Sequence, residues 1–516
     1  MRPTTLVRLG LAGTRTDAMR VVLTALSTAL ATLAVLAAAN VVAIGQFGDG
    51  SGAAGGSEDW SQQYSNALLR EPGLRPGVAI TLLLLTLPVF ALAGQCARLG
   101  APARDRRLAA FRLAGATPWQ TTAVAVAETG LAGLIGSLTG TAAFLAGHRL
   151  LDRPGPDGLL PLPTDVWPAP WFVVVAPLAI PVAGALAAAL VMRRVTVSPF
   201  GLVRRVRRTE GPQPWSGVFI VIGVLAFAAI GTASQWGQHV HVKVPAWTLP
   251  AGLLLGSACA GFGVVLGTGW LAYTGGRLLH RFSRRPAGLL AAGRLMTDPW
   301  SGSRTLAVLL VCVLFGAGAA GMRAQFAAQA AIQRDAYKDY FPSEGLDPFY
   351  MRTMDLIDAA LMTGLVLTAL AMLVVVAEGI VTRRRAYASL VATGVPRGTL
   401  SRSILWQSLL PAVPAILVAL IVGVSLVRTL GAEVQSGGGS ASQCIATAAE
   451  CESSDPQVRA QATTIVEIPT MTRAVPVPWA ELARDGGIAV LAVLGTTGLG
   501  LLFLRRSTDL EELRAT

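Results

Sequence analysis

The chain has 516 residues, 53% of them hydrophobic and only 14% charged; soluble domains carry about 25% charged residues, so most of this chain must face lipid or other apolar helices. Its net charge of +13 does not mark a nucleic-acid-binding protein, because the basic residues, all arginine except Lys243 and Lys338, cluster in short segments between apolar runs and so report topology. An intramembrane zinc enzyme is disfavoured too, since there is no H-E-x-x-H motif and His148, His239, His241 and His280 lie scattered along the chain.

A helix needs about 20 apolar residues to cross a bilayer. Stretches of that kind are predicted at Val21–Ile44, Val78–Ala97, Thr121–Gly147, Trp171–Met192, Gly217–Ser234, Leu249–Tyr273, Thr305–Gly321, Met354–Ile380, Ile404–Val427 and Gly487–Leu504. The first is read as a retained helix, because its apolar core exceeds the usual signal-peptide length of about 7 to 15 residues. With an even number of spans both termini share a side, and most of the arginines fall in the loops of that side, which is therefore expected to be cytoplasmic.

Two segments of the first half recur in the second half at nearly the same spacing. Arg2-Pro3-Thr4-Thr5-Leu6, with Gly10 and Thr14 following, matches Arg285-Pro286-Ala287-Gly288-Leu289, with Gly293 and Thr297 following. Between the second and third spans of each half, Phe111-Arg112-Leu113-Ala114-Gly115-Ala116-Thr117 matches Leu390-Val391-Ala392-Thr393-Gly394-Val395-Pro396, with Gly115 aligned to Gly394. The expected fold is all-α: a polytopic membrane protein of about ten transmembrane helices, with a four-span unit at residues 1–205, a two-span connector at 206–284 and a second four-span unit at 285–516.

The first of these intervening segments has its own punctuation. A helix through Arg104 to Ala114 would end at Gly115, where a left-handed cap costs glycine little. A new helix would begin at Thr117, with its hydroxyl as the N-cap, Pro118 in the first turn and Gln120 completing a capping box. Gly394 and Pro396 punctuate the second segment in the same way, after the run Arg383, Arg384, Arg385. Such an elbow either merely connects two spans or docks a partner, and two copies on one face favour a pair of docking sites.

The segment Phe111 to Thr117 resembles the cytoplasmic signature of the FtsX-like permease family of ABC transporters, which is similar to Leu-Arg-Ala-Leu-Gly-Ala-Thr. The second copy departs from it, with Val391 where the family favours Arg and Pro396 where it favours Thr. The resemblance covers most of both four-span units and not the connector. It implies the permease subunit of an ATP-driven transporter, not itself an enzyme. It would pair with two copies of a separate ABC ATPase docked at Phe111, Arg112, Leu113, Ala114, Gly115, Ala116 and Thr117 and at Leu390, Val391, Ala392, Thr393 and Gly394. No G-x-x-x-x-G-K-[ST] loop occurs in the chain, and Gly50–Gly56 lacks the necessary Lys, so no cofactor is expected on this chain and ATP belongs to the partner. The expected cargo is a hydrophobic or amphiphilic compound such as a lipid, peptide or antibiotic, and the expected location is the inner or plasma membrane, in contact with its lipids. The family's usual large extracytoplasmic domain has no room in the loops Gln46–Gly77 and Met322–Thr353.

Two other readings stay open at this point, a membrane signal-transducing ABC complex without net transport and an ion-coupled secondary carrier. The second would centre on Glu128, the one carboxylate placed inside an apolar run, which reads as an ion-coupling group or as a structural polar contact; its aligned residue is the neutral Gln407. Gly136 with Gly140, and Gly252 with Gly256, have the small-x-x-x-small spacing that permits close helix packing. Cys96, Cys259 and Cys312 read as packing residues. Cys444 and Cys451, in the long loop Thr429–Asp485, read as a local disulfide or as two free thiols.

Overall fold

The computed structural model describes residues 15–44, 63–70, 75–96, 110, 113–196, 214–240, 248–337, 349–382, 389–429, 431–436, 440–446 and 456–507. In chain order these form helices α1 (Arg15–Ala43), a single turn α2 (Ala67–Arg70), α3 (Arg75–Cys96), α4 (Pro118–Leu150), α5 (Pro170–Thr196), α6 (Ser216–Val240), α7 (Thr248–Phe282), α8 (Pro286–Thr297), α9 (Trp300–Tyr337), α10 (Phe349–Thr382) and α11 (Arg397–Arg428). Strands β1 (Glu433–Ser436) and β2 (Ser440–Cys444), helix α12 (Pro456–Ala462), strands β3 (Thr463–Glu467) and β4 (Met471–Ala474) and helix α13 (Trp479–Ser507) complete the chain. Seven helices hold apolar windows long enough to cross a bilayer, while α3, α5 and α6 hold shorter described apolar stretches, Gly77–Thr86, Pro170–Leu186 and Ser216–Ala229. The shortest of these three, α3, has 22 residues, and at 1.5 Å per residue it spans about 33 Å, enough for a hydrocarbon core of about 30 Å. The chain is an all-α polytopic membrane protein.

In the first half α1 packs against α3, α4 and α5, and α4 packs against α5. In the second half α9 occupies the place of α1, packing against α10, α11 and α13, while α11 packs against α13. The strongest helix pairing of each set, α1 with α4 and α9 with α11, is made possible by small residues. A Cβ on Gly136 would overlap Thr28 Oγ1 and the Ala25 carbonyl, and one on Gly140 would overlap the Ala29 carbonyl. On α11, a Cβ on Gly423 would overlap the Leu314 carbonyl and lie 2.7 Å from Ala317 Cβ. Apolar burial cannot drive helix association in lipid, so this backbone approach is where packing energy comes from.

The halves meet through α3 and α10. Helices α6 and α7 pair with each other, and α7 lies on α9 and α11. The amphipathic α8 buries Ala287, Gly288, Ala291, Ala292 and Leu295 against α7 and α11. This spacing of buried residues is one helical stripe. The fold core is shared by these elements: Leu309, Leu310, Val313, Ala412, Ile416, Ala419 and Val493 are all buried in one cluster.

Two segments expected as loops are structured. Helix α9 does not stop at Gly321 but continues to Tyr337, because residues 322–337 are rich in Ala, Gln and Arg, all good helix formers. That extension presents Ala324, Ala328, Ile332 and Ala336 as a buried stripe four residues apart. The segment between α11 and α13 holds an antiparallel ribbon rather than coil, with β1 paired to β4 (Glu433 opposite Ala474) and β2 to β3 (Ser440 opposite Glu467). Val434 and Val475 of this segment pack on Ala324 and Ala328, which fixes the ribbon to α9. Helix α13 begins at Trp479, before the expected Gly487.

A buried hydroxyl repairs one proline break. Pro181 has no N–H to offer the Pro177 carbonyl one turn earlier in α5, and Ser137 Oγ of α4, fully buried, donates to that carbonyl at 2.7 Å. A carbonyl freed inside the hydrocarbon region needs such a partner.

Candidate functional site

The two elbows sit between α3 and α4 and between α10 and α11. Six helices, α4, α5, α6, α7, α9 and α10, separate them, so with each one crossing the membrane both elbows lie on the same face. Gly115 has φ +91° and Gly394 has φ +92°, a left-handed conformation that side chains with a Cβ rarely adopt. At the first elbow Gln120 N–H donates to Thr117 Oγ1 at 3.3 Å and Thr117 N–H donates to Gln120 Oε1 at 3.0 Å. Both halves of the predicted capping box are present, with Pro118 in the first turn of α4.

The second elbow is closed differently. Val395 N–H donates to the Leu390 carbonyl at 3.0 Å and Gly394 N–H to the Val391 carbonyl at 2.9 Å, the paired bonds of a Schellman turn. Leu390, Val391 and Val395 pack against a cluster of Ile380, Leu400 and Ile404. Pro396 precedes α11 without a side-chain cap. At the first elbow Leu113 is 90% exposed and Trp119 is 77% exposed; an aromatic residue in the first turn of a span suits the headgroup level, whereas Leu113 stands clear at the tip. Of the proposed elbow residues, Leu113 to Thr117 and Leu390 to Gly394 are placed, while Phe111 and Arg112 lie outside the described residues, as do Arg383, Arg384 and Arg385.

The model of the FtsX-like permease C-terminal family matches residues 78–197 and 359–454, each match spanning one elbow with the helices on both sides of it. Two regions of this chain are thus similar to that family. That family is one of ABC-transporter-type permeases, which typically work with an ABC ATPase. Helices α1, α2, α6, α7, α8, α9, α12 and α13 fall outside the FtsX-like matches. No curated protein and no solved structure matches the chain.

Glu128 is buried on α4. Its aligned residue on α11, Gln407, accepts from Arg294 Nη1 of α8 at 3.2 Å, which ties the amphipathic helix to the span that follows the second elbow. Cys259 and Cys312 are free thiols. Cys444 ends β2, and Cys451 lies outside the described residues, so the disulfide expectation falls outside them too.

Two features at the opposite, ribbon-bearing end went unnoticed in the sequence. A cavity of about 370 Å³ lies where α3 meets α9 and α10, with Leu85, Pro88, Phe315, Met322, Ile357 and Leu361 in its walls. Beside it is an ion cluster from three helices. Arg323 Nη2 of α9 pairs with Asp355 Oδ1 at 2.9 Å and with Asp358 Oδ2 at 3.2 Å, both on α10. Arg484 of α13 pairs with the same Asp358 oxygen at 3.2 Å and with Asp485 Oδ1 at 3.0 Å. The signal available was Asp355 and Asp358 on one helical face with Arg484-Asp485 flanking another span, but nothing in a linear sequence joins them.

Proposed function

We propose that this chain is the membrane subunit of an ABC transporter that exports, or extracts from the membrane, a hydrophobic or amphiphilic compound, driven by two copies of a separate ATPase docked at the two elbows. The observation that carries the reading is the pair of glycine-capped elbows on one face, each inside an FtsX-like match. The arginine-rich loops favour a cytoplasmic position for that face and for both termini. Each elbow leads without interruption into a long helix, α4 of 33 residues and α11 of 32, and these helices form the closest crossings of their halves. Movement imposed on an elbow by ATPase closure is therefore handed to α1 and α9 as rigid-body displacement. Because α3 and α10 leave the same elbows and flank the cavity, its shape changes with the nucleotide state.

The test is affinity purification of the tagged chain from its native membrane. An ATPase at two copies per chain is expected, and its recovery is expected to fall to background in Gly115→Pro with Gly394→Pro, since proline is confined to φ near −65°. Equal recovery from the double variant would remove the elbows as docking sites. A well-folded, monodisperse chain that brings down no ATPase would overturn the reading.

A further inference from the structure

We infer that the cavity between α3, α9 and α10 is a binding site for an amphiphile whose head group is cationic. The assignment deepens the permease reading by naming the head-group class, and it rests on that reading for the step from ligand to transported substrate. The cavity walls are almost wholly carbon and sulfur, and about 370 Å³ lies within the usual range of small-ligand sites, about 300 to 1,000 Å³. Its ribbon-side end is marked by Met322 and Met354, whose next neighbours in sequence are Arg323 and Asp355. Cys312 and Leu361 line both this cavity and the smaller space that contains Asp358, Arg484 and Asp485. An apolar tail in the cavity thus places its head group at the ion cluster.

The cluster is not symmetric in what it can still bind. Each guanidinium already serves two carboxylates: Arg323 bonds Asp355 and Asp358, and Arg484 bonds Asp358 and Asp485. An anionic head would have to displace one of them. Asp355, by contrast, is paired through one oxygen to Arg323, and its side chain is 68% exposed. Glu481 lies one turn before Asp485 on α13 and adds a further negative charge. Among the described side chains of the cluster, carboxylates (Asp355, Asp358, Glu481 and Asp485) outnumber guanidiniums (Arg323 and Arg484). At the edge of a low-dielectric membrane that imbalance selects an ammonium or guanidinium head over a phosphate or sulfate.

The test uses the full chain in nanodiscs of a zwitterionic lipid, without any ATPase. Binding of radiolabelled dodecyltrimethylammonium is measured below its micellar concentration, with dodecylphosphocholine and dodecyl sulfate as competitors and empty nanodiscs as background. Saturable binding is expected, competed weakly by the zwitterionic probe and not by the anionic one. Asp355→Asn, at an exposed position, is expected to weaken it about tenfold, the scale of losing one coulombic contact with the quaternary ammonium. Leu361→Trp, which fills the cavity, is expected to abolish it. Competition by both competitors as strong as by unlabelled dodecyltrimethylammonium would mean that the cavity holds an alkyl chain regardless of charge, and absence of saturable binding would mean that it is no site; either overturns the inference. Intact head-group selectivity in a chain that captures no ATPase would instead sink the permease reading alone.

Discussion

The two halves of the chain share a skeleton and differ in how its ribbon-side end is fastened. In the first half the fastening is made of hydrogen bonds, many of them to loop carbonyls. Tyr64, fully buried, donates to Asp165 Oδ1 at 2.7 Å, Asn40 Nδ2 donates to the Pro163 carbonyl at 2.7 Å, and Arg75 Nε donates to the Leu69 carbonyl at 2.8 Å. His148 contacts the Val166 carbonyl at 3.1 Å and stacks on Trp167 at 4.1 Å between ring centroids. In the second half the helices fasten each other directly, through Arg323, Asp355, Asp358, Arg484 and Asp485. Buried hydrogen bonds of this kind are short-range and little screened by salt, whereas an exposed ion cluster responds to salt and to any charged ligand that reaches it. The fastening that a charged ligand can perturb is therefore the one in the second half, where the acidic rim of the cavity lies.

The shared part of the comparison breaks first. Gly136→Leu and Gly423→Leu each drive a side chain into backbone at the crossing of the first and third helices of a half, and overpacking of this kind costs about 3 kcal/mol or more where the clash is with main chain. Loss of monodisperse protein is expected for both, checked by size-exclusion chromatography in mild detergent; a tolerant Gly423→Leu would mean that the second crossing is looser than the first. The fastenings come next. Asp358→Ala leaves two guanidiniums without their shared carboxylate and is expected to cost about 2 kcal/mol, with the melting temperature of the variant falling less steeply as salt is raised, since the Arg323–Asp355 and Arg484–Asp485 pairs remain. Tyr64→Phe is expected to cost about 1 kcal/mol and to leave the salt response unchanged. Burial first, and then the hydrogen bond to Asp165, raises the Tyr64 phenol above its ordinary pKa. The native chain thus keeps the proton that the unfolded chain releases; this contribution is complete below the ordinary phenol pKa and is lost as pH rises through the raised one, which a tyrosinate absorbance titration of wild type against Tyr64→Phe reads directly.

The helices and elbows were legible in the sequence because lipid forces about 20 apolar residues per crossing and because Gly115, Thr117, Pro118 and Gln120 act on residues within one turn. Local rules also explain the main misreading. Hydropathy ends at Gly321 while helix propensity does not, so α9 runs on through Arg323 to Tyr337, and a supposed loop is a stalk for the ribbon. The cavity and the ion cluster were illegible for a different reason. Their parts come from α3, α9, α10 and α13; only the packing of one half on the other brings Pro88 opposite Gly364, and only the packing of α13 on α10 brings Arg484 to Asp358. Ser137 belongs to the same class: nothing but the α4–α5 contact shows that its hydroxyl serves Pro177.

The smallest expected effects separate the two elbows. Thr117→Ala removes one side of a capping box and is expected to cost about 1 kcal/mol, seen as faster hydrogen exchange confined to the first turn of α4. Pro396→Ala removes no side-chain cap from α11, so exchange at its first turn should stay as it is, held by the Thr399 N–H on the residue-396 carbonyl and by Leu400 in its apolar cluster. If the first elbow is a stiff lever because of its cap and the second because of its packing, Leu113→Ser should leave both exchange patterns alone, since Leu113 is 90% exposed and serves neither device. A fall in ATPase recovery in that variant would then report contact with the partner itself, and unchanged recovery would place the contact on the backbone around Gly115 instead.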